Sequence, residues 1–250
     1  MSYWNSNAYA AMHDTRLNEG LVGIKYTALM IPNRKYRVHV QTPDESEYRY
    51  MIDLDPNLNW FPLQCGNGRY MVKVYEEVEQ GTNKYTAKAQ GWVDLSLEYP
   101  LAVFLASCFY MAWNFDMQCI CVAKKITEND KADHAKAKTI WNAIVNDFKY
   151  DAALAANVKY NYTPDLMDIY VRREGICFGL TSLYNSQLRS LGIPAKMLHG
   201  YAGSAYHAWS EIYLDGAWNH VDITFDTAEK GKRGFLAEKL GLDYTVKFFY

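Results

Sequence analysis

Three side chains in the C-terminal half of the chain are of the types that carry out nucleophilic acyl transfer. Cys177 lies within residues 173–179, in the run Arg-Glu-Gly-Ile-Cys-Phe-Gly, and His207 and Asp222 follow it in that order. A cysteine thiolate attacks a carbonyl carbon, a histidine donates and accepts the proton, and an aspartate holds the histidine in place. If the fold brings the three together, the chain can form and resolve a thioester.

The position of Cys177 in the predicted secondary structure favours the thiolate. Apolar residues recur at helical spacing from Cys177 to Leu191, and Gly192 and Pro194 follow as signals that end a helix. A helix N-terminus carries unpaired N–H groups and a positive dipole, and both stabilise a negative sulfur. A free cysteine is more often a small core residue, so the position alone leaves both interpretations open.

A tight hairpin is predicted to carry the histidine. Asp215-Gly216 is a two-residue turn signal between two predicted strands, His207–Leu214 and Ala217–Ile223. With a two-residue loop, Glu211 lies opposite His220 in the antiparallel pair. This register decides which side chains share a face of the sheet, because successive residues of a strand point to opposite faces.

The register places four side chains on one face of that sheet: His207, Trp209, Asp222 and Thr224. His207 and Asp222 are then diagonal neighbours, whose Cα atoms are expected about 7–8 Å apart. An aspartate within that reach fixes the tautomer of a histidine and stabilises its protonated form. The hairpin therefore predicts that Asp222 orients His207.

The residues around these positions form a set of motifs. They are Glu-Gly-Ile-Cys-Phe-Gly-Leu at 174–180, Leu-Arg-Ser-Leu-Gly-Ile-Pro-Ala at 188–195, Gly-Tyr at 200–201, His-Ala-Trp-Ser-Glu-Ile-Tyr at 207–213, Trp218, and Val-Asp-Ile-Thr-Phe at 221–225. Together they resemble the transglutaminase-like superfamily, whose members are papain-like enzymes with a Cys-His-Asp triad in this chain order. The resemblance implies that Cys177 is the nucleophile, His207 the base and Asp222 the orienting acid.

The resemblance covers residues 20–226 and implies a fold. Residues 136–151 resemble the helix that precedes the core in bacterial members, and residues 61–70 resemble a β-rich N-terminal segment found in some of them. The implied class is α+β: a papain-like transglutaminase core, with the cysteine helix packed on an antiparallel sheet, preceded by a small β-sandwich-like domain. We expect a β-rich N-terminal domain at residues 1–110 and a catalytic domain at residues 111–250.

The hydrophobic patterning agrees with that division. Segments rich in Val, Ile and Tyr, separated by turn residues, predict short antiparallel strands in the N-terminal part. Helical spacing then appears between Asp130 and Lys149. The apolar run Leu101–Trp113 is shorter than the about 20 residues of a membrane span and predicts a buried strand or helix. The predicted strands are Leu21–Tyr26, Tyr36–Gln41, Tyr48–Leu54, Tyr70–Tyr75, Tyr85–Ala89, Trp92–Leu97 and Ala195–Tyr201.

The expected substrate is a peptide or protein amide, cleaved by a protease or amidase or transferred by a cross-linking enzyme. The backbone N–H of Cys177 is the expected first donor to the oxyanion. The segment with Tyr110, Trp113 and Asn114 is where a second donor is sought, without an assignment to one residue.

Two aromatic residues next to the histidine are predicted to bind substrate. Tyr206 directly precedes His207 and is expected to border the substrate groove. Trp209 follows in the same strand, and lining the cleft or packing in the core are both compatible with its position.

Composition limits the partners. Lys and Arg total 26 and Asp and Glu total 28, for a net charge of −2. Such a balance gives no bulk attraction to nucleic acid or anionic membranes, so neither is expected as a partner. The first 30 residues lack the basic stretch and apolar core of a secretory signal, and the sequence leaves the compartment and the oligomeric state open.

No metal or cofactor is expected. The run Asp53-x-Asp55-x-Asn57 begins like a calcium loop, but the required glycine and the final glutamate are absent. Cys119-x-Cys121 has strand-like alternation and no second cysteine pair, which argues against structural zinc. The remaining cysteines are expected to be small buried residues at Cys108, Cys119 and Cys121, with Cys65 beside a turn.

Other functions share some of these features. The same fold could serve as a non-catalytic or weakly active module that binds a protein or a cell-wall component. Arylamine acetyltransferases also use Cys, His and Asp in this order, but residues 173–176 lack their approach to the cysteine. The glycan-releasing amidases of the superfamily carry paired Cys-x-x-Cys motifs, which are absent from this sequence.

Overall fold

The computed structural model describes residues 1–5, 9–27, 31, 34–52, 57–237 and 243–250. These residues form two compact units, Met1–Phe109 and Tyr110–Tyr250. The first unit is built mainly from strands, whereas the second combines helices with an antiparallel sheet. The predicted α+β class is therefore confirmed.

Antiparallel strands form two sheets in the first unit. In chain order they are β1 (Ser2–Asn5), β2 (Ala10–His13), β3 (Leu21–Tyr26), β4 (Tyr36–Gln41), β5 (Glu47–Ile52), β6 (Asn59–Pro62), β7 (Gly68–Glu77) and β8 (Tyr85–Leu95). The larger sheet has the order β1-β8-β7-β4-β5, and the smaller sheet has the order β2-β3-β6.

The inner faces of the two sheets meet through apolar side chains. On β4, Tyr36, Val38 and Val40 are buried while the intervening residues are half-buried, which is the period-two pattern of a strand with one face on the core. Tyr50 of the larger sheet packs against Phe61 of the smaller one, with ring centroids 4.9 Å apart. The arrangement is the expected sandwich-like one.

Two predictions in the N-terminal part are corrected by the structure. The segments Tyr85–Ala89 and Trp92–Leu97 lie largely in one continuous strand, β8. A side chain at Gly91, in the middle of this strand, would sit 2.3 Å from the backbone oxygen of Tyr3 on β1. Gly91 thus permits close approach of β1 and does not break the strand. The run Leu101–Trp113, predicted as a buried strand or helix, contains only a short 3₁₀ turn at Ala102–Phe104. Residues 53 and 54 of the strand predicted at Tyr48–Leu54 lie outside the described residues.

The second unit places helices around a four-stranded sheet. Its elements are α1 (Gln118–Ile126), α2 (Asp133–Asp147), β9 (Lys149–Tyr150), α3 (Ala152–Ala156), α4 (Leu166–Arg172), β10 (Glu174–Gly175), α5 (Cys177–Ser190), β11 (Ala195–Ala202), β12 (Ala205–Leu214), β13 (Ala217–Val221), α6 (Ile223–Ala228) and β14 (Tyr244–Phe249). The sheet is antiparallel with the order β13-β12-β11-β14, and β9 pairs with β10 in parallel.

Helix α5 packs on this sheet through both apolar and polar contacts. Leu183 lies in the core of the unit. The Thr181 hydroxyl donates to the carbonyl of Ala208 at 3.2 Å, and the Ser210 hydroxyl donates to the Asn185 side chain at 2.7 Å. Buried hydrogen bonds of this kind fix the helix in one position on the strands, so α5 holds its first residue at a defined place near the sheet.

Helix α1 was not predicted, and it changes the interpretation of two cysteines. Cys119 and Cys121 lie on α1 and not on a strand, with Cys119 buried and Cys121 exposed. The buried residues Cys119, Ile120 and Ala123 have helical spacing. The short helices α3 and α4 lie between the two predicted helices, in a region for which the sequence predicted no helix. Among the helices of the described residues, none has the length and apolar character needed to cross a membrane.

Candidate active site

Cys177 is the first residue of α5, as predicted. The preceding residue, Ile176, has an extended backbone, and its carbonyl accepts the bond from the Leu180 N–H at 2.9 Å. The N–H groups of the first turn have no partner within the helix. The Cys177 side chain is half-buried, so the thiol combines partial access to solvent with the positive end of a helix.

The hairpin pairs in the predicted register but ends earlier than predicted. Leu214 lies opposite Ala217, and Glu211 lies opposite His220. β13 then stops at Val221, and Asp222 becomes the N-cap of α6, with one carboxylate oxygen accepting from the Phe225 N–H at 2.9 Å.

Asp222 and Thr224 therefore do not lie on the sheet face with His207, and that part of the prediction is wrong. The chain turns into α6 because the Asp222 side chain caps the helix. Asp222 nevertheless reaches the histidine: its Oδ2 lies 2.7 Å from the Nε2 of His207. The predicted contact is present, made from a helix cap instead of a strand.

His207 interacts with both Asp222 and Cys177. Since Asp222 occupies Nε2, the other ring nitrogen, Nδ1, is the one left for the Cys177 thiol. Burial disfavours the charged imidazolium, but hydrogen bonds to Asp222 and Cys177 and the charges of both raise the pKa of His207 to about 10. The ring is therefore held as an imidazolium at neutral pH.

Asp222 is nearly inaccessible, with 1% of its surface exposed. Burial alone would raise its pKa, but the hydrogen bonds from His207, the Phe225 N–H and the Tyr244 hydroxyl hold that pKa below its usual value. The Tyr244 hydroxyl donates to Oδ2 at 2.8 Å. Tyr244 lies on the last strand, β14, and no motif in the sequence indicated that it belongs to the site.

Trp209 does not offer a surface to substrate. It is 1% exposed and stacks on His207, with ring centroids 6.2 Å apart. It also packs against His220 and Tyr244 at 6.3 and 5.0 Å. Of the two positions that the sequence left open, the structure therefore shows packing in the core, where Trp209 supports the histidine.

Two exposed tyrosines, Tyr206 and Tyr150, are influenced by the charge of Cys177. Tyr206 is 58% exposed and contacts Tyr201 edge-on across the β11–β12 pair, at 5.6 Å. Burial, Tyr201 and the charge of Cys177 raise the pKa of Tyr206. Burial and the same charge, together with Asp151, raise the pKa of the exposed Tyr150 on β9. Tyr150, which the sequence did not single out, thus joins Tyr206 near the sulfur.

The residues considered as second oxyanion donors have other surroundings. Tyr110 packs edge-on against Phe178 and Tyr250, each at 5.0 Å. The Asn114 side-chain oxygen accepts hydrogen bonds from the backbone N–H groups of Asp116 and Met117. Trp113 packs against the core and Phe115. The second donor stays unassigned.

A second histidine, His199 on β11, is buried next to the first turn of α5. His199 is packed edge-on against Phe178 at 4.7 Å and against Tyr250 at 5.3 Å. Burial, with a smaller contribution from the charge of His207, lowers the pKa of His199 to about 4. The ring is therefore neutral at physiological pH, and it adds no second positive charge beside His207.

Within the described part of the chain, no cluster of three or more His, Cys, Asp or Glu side chains could hold a metal ion. Asp53 and Asp55 of the calcium-like run lie outside it. All five cysteines are free thiols, of which Cys121 is exposed where a buried residue was expected.

Comparisons with known proteins give one family model and several similar proteins. The sequence model of the transglutaminase-like superfamily core matches residues 121–223. Kyphoscoliosis peptidase of Homo sapiens is 29% identical over 105 residues, and that of Mus musculus is 27% identical over 106 residues. These matches cover 37% and 38% of this chain but only 16% of either relative.

Two solved structures are similar to the chain as well. One is a candidate cysteine protease from Cytophaga hutchinsonii, with a TM-score of 0.44, 17% identity, and coverage of 90% of this chain and 79% of that one. The other is a candidate protease from Parabacteroides distasonis, with a TM-score of 0.39, 15% identity, and coverage of 75% and 37%.

Proposed function

Because residues 121–223 belong to the transglutaminase-like superfamily, we propose that the protein is a thiol enzyme that attacks peptide or protein amides through Cys177. The observation that carries the proposal is the double engagement of His207. One ring nitrogen is bonded to Asp222 at 2.7 Å, and the thiol interacts with the same ring. A raised histidine pKa beside a cysteine favours the thiolate–imidazolium pair, which is the reactive form of such a site.

The reaction begins with attack of the Cys177 sulfur on an amide carbon. A C–S bond forms, the carbonyl electrons move to oxygen, and the His207 imidazolium gives its proton to the departing nitrogen. The C–N bond then breaks and releases ammonia or an amine, which leaves a thioester. His207, now neutral, takes a proton from water or from an incoming amine, which attacks the thioester and restores the thiolate.

The oxyanion of each tetrahedral intermediate lies close to the nucleophile. The N–H of Cys177, in the unpaired first turn of α5, is placed to donate to it, assisted by the helix dipole. Loss of one such donor typically costs about 10²–10³ in rate. Backbone atoms cannot be removed by substitution, so this contribution persists in side-chain variants.

Substrate specificity is assigned to two exposed tyrosines, Tyr206 and Tyr150. Tyr206 and Tyr150 are both exposed and both electrostatically coupled to Cys177. Tyrosine offers a large apolar ring and a hydroxyl that donates and accepts hydrogen bonds, which suits an uncharged peptide segment. Tyr206 thus borders the groove into which the amide enters.

The test follows ammonia release from a glutamine-containing peptide and cleavage of its backbone, with and without an added primary amine. Turnover in the wild type and a loss of at least about 100-fold in Cys177→Ala and His207→Ala are expected. Incorporation of the amine identifies a transferase, and its absence identifies a hydrolase. Cys121→Ser is the matched control, because Cys121 is exposed on α1.

Thiol labelling separates the enzyme from a binding module on the same fold. Iodoacetamide at neutral pH is expected to modify Cys177 roughly tenfold or more faster than Cys121, although Cys121 is the more exposed of the two. Similar rates for both thiols, together with no amide turnover, would contradict the proposal and favour the binding module.

A further inference from the structure

We propose that Tyr244 is a positioning residue of the active site, whose hydroxyl fixes the Asp222 carboxylate that orients His207. The contribution of Tyr244 to catalysis rests on the proposed function, whereas its hydrogen bond to Asp222 does not. Tyr244 lies outside residues 121–223, which match the superfamily model, and outside the sequence motifs around the three catalytic positions.

The Asp222 carboxylate is held from three elements. Its Oδ2 lies 2.7 Å from His207 Nε2 on β12 and accepts from the Tyr244 hydroxyl on β14 at 2.8 Å. Its Oδ1 accepts from the Phe225 N–H in α6 at 2.9 Å. Without the tyrosine, Oδ2 would keep only its contact with His207, and the carboxylate would be held by two contacts instead of three.

The tyrosine ring is itself confined by aromatic neighbours. Trp209 contacts it edge-on with centroids 5.0 Å apart, and His220 does so at 4.5 Å. Two carboxylates, those of Asp222 and Asp226, act electrostatically on the Tyr244 hydroxyl. The ring of His220 also faces Tyr244. Burial and the two carboxylates raise the pKa of Tyr244 above its usual value, so the hydroxyl keeps its proton and remains a donor.

A close backbone approach brings Tyr244 to this place. β14 pairs with β11, and Tyr244 lies opposite Ala202. A side chain at Gly200 would sit 1.9 Å from the backbone oxygen of Thr245. Only glycine permits the strands to run this close, so β11 carries a residue type that the docking of the last strand requires.

The test compares the wild type with Tyr244→Phe, which keeps the ring and removes only the hydroxyl. NMR of the imidazole ring gives the pKa of His207 directly. We expect that pKa to fall by about one unit, because a less restrained Asp222 stabilises the imidazolium less well. The second readout is the ratio of Cys177 alkylation rates with iodoacetate and with neutral iodoacetamide. The imidazolium attracts the anionic reagent, so the ratio falls as the pH rises and His207 loses its proton. In Tyr244→Phe this fall should occur at a lower pH than in the wild type.

Tyr213→Phe is the matched control. Tyr213 lies at the end of β12 opposite to His207, where its ring packs on Trp218 with centroids 5.2 Å apart. Thermal unfolding of both variants checks that the fold is retained. An unchanged or higher pKa of His207 in folded Tyr244→Phe would overturn the proposal. The NMR measurement needs no amide turnover, so failure of the proposed function and failure of the Tyr244 inference are distinguishable.

Discussion

His207 interacts with two groups whose negative charges compete for one proton. Asp222 is bonded to Nε2, which leaves Nδ1 as the ring nitrogen available to Cys177. Because hydrogen bonds and the charge of His207 lower the pKa of Asp222 in spite of its burial, the aspartate stays ionised and the proton stays on the ring. The histidine is therefore ready to act as an acid in the first half of the reaction.

A pH dependence of stability follows once the thiol is removed. Cys177→Ala has no thiol to interact with the His207 ring. Burial still lowers the pKa of His207 in this variant, and the hydrogen bond to Asp222 still raises it. The folded state then holds a proton that the unfolded chain releases near its ordinary pKa of about 6.5. The added stability is complete below that pH and is lost as the pH rises through the higher, folded pKa.

Urea unfolding of Cys177→Ala at several pH values checks this expectation. The free energy of unfolding should decline as the pH rises above about 6.5, relative to the double variant Cys177→Ala/His207→Gln, which has no imidazole at position 207 to titrate. Parallel curves for the two variants would show that Asp222 does not raise the histidine pKa in the folded protein.

Secondary-structure elements decide where the three catalytic side chains meet. α5 presents Cys177 at its first turn, β12 carries His207, and the N-cap of α6 carries Asp222. Asp222 has two functions at once, since one oxygen caps a helix and the other bonds the histidine. The two functions respond differently to substitution, because asparagine is an N-cap comparable to aspartate whereas alanine is not.

Comparing Asp222→Asn with Asp222→Ala should therefore separate the capping contribution of Asp222 to protein stability from the effect of its charge on the pKa of His207. Both variants lose the carboxylate charge, so both should lower the pKa of His207. Only the alanine variant loses the α6 cap, and it should be less stable than the asparagine variant by about 1 kcal/mol. Chemical unfolding and NMR titration measure the two effects. Equal stability of the variants would contradict the capping function.

The sequence predicted these elements where the local signal was strong. Asp215-Gly216 gave the hairpin register, and the periodicity after Cys177 gave α5. It missed the end of β13, because Val221 to Thr224 also reads as a β-branched strand and the capping of α6 by Asp222 decides the outcome. Tyr244 could not be predicted, since β14 reaches the site only by pairing with β11.

At the scale of the whole molecule, the proposed chemistry lies in the C-terminal unit. Cys177, His207, Asp222 and Tyr244 all belong to Tyr110–Tyr250, and a buried apolar core of that unit packs around α5. The N-terminal unit has its own sheets and its own aromatic core. We expect that it serves recognition of a protein or cell-wall component and takes no part in the reaction of the thiol.

Expression of residues 110–250 alone tests this division. We expect the fragment to unfold cooperatively and Cys177 to react with iodoacetamide at the rate seen in the full chain, because His207, Asp222 and Tyr244 are all retained. The Cys177→Ala fragment is the control for labelling of the other cysteines. A folded fragment with a slow Cys177 would contradict the division. A fragment that keeps a fast thiol but loses turnover of protein substrates would support recognition by Met1–Phe109.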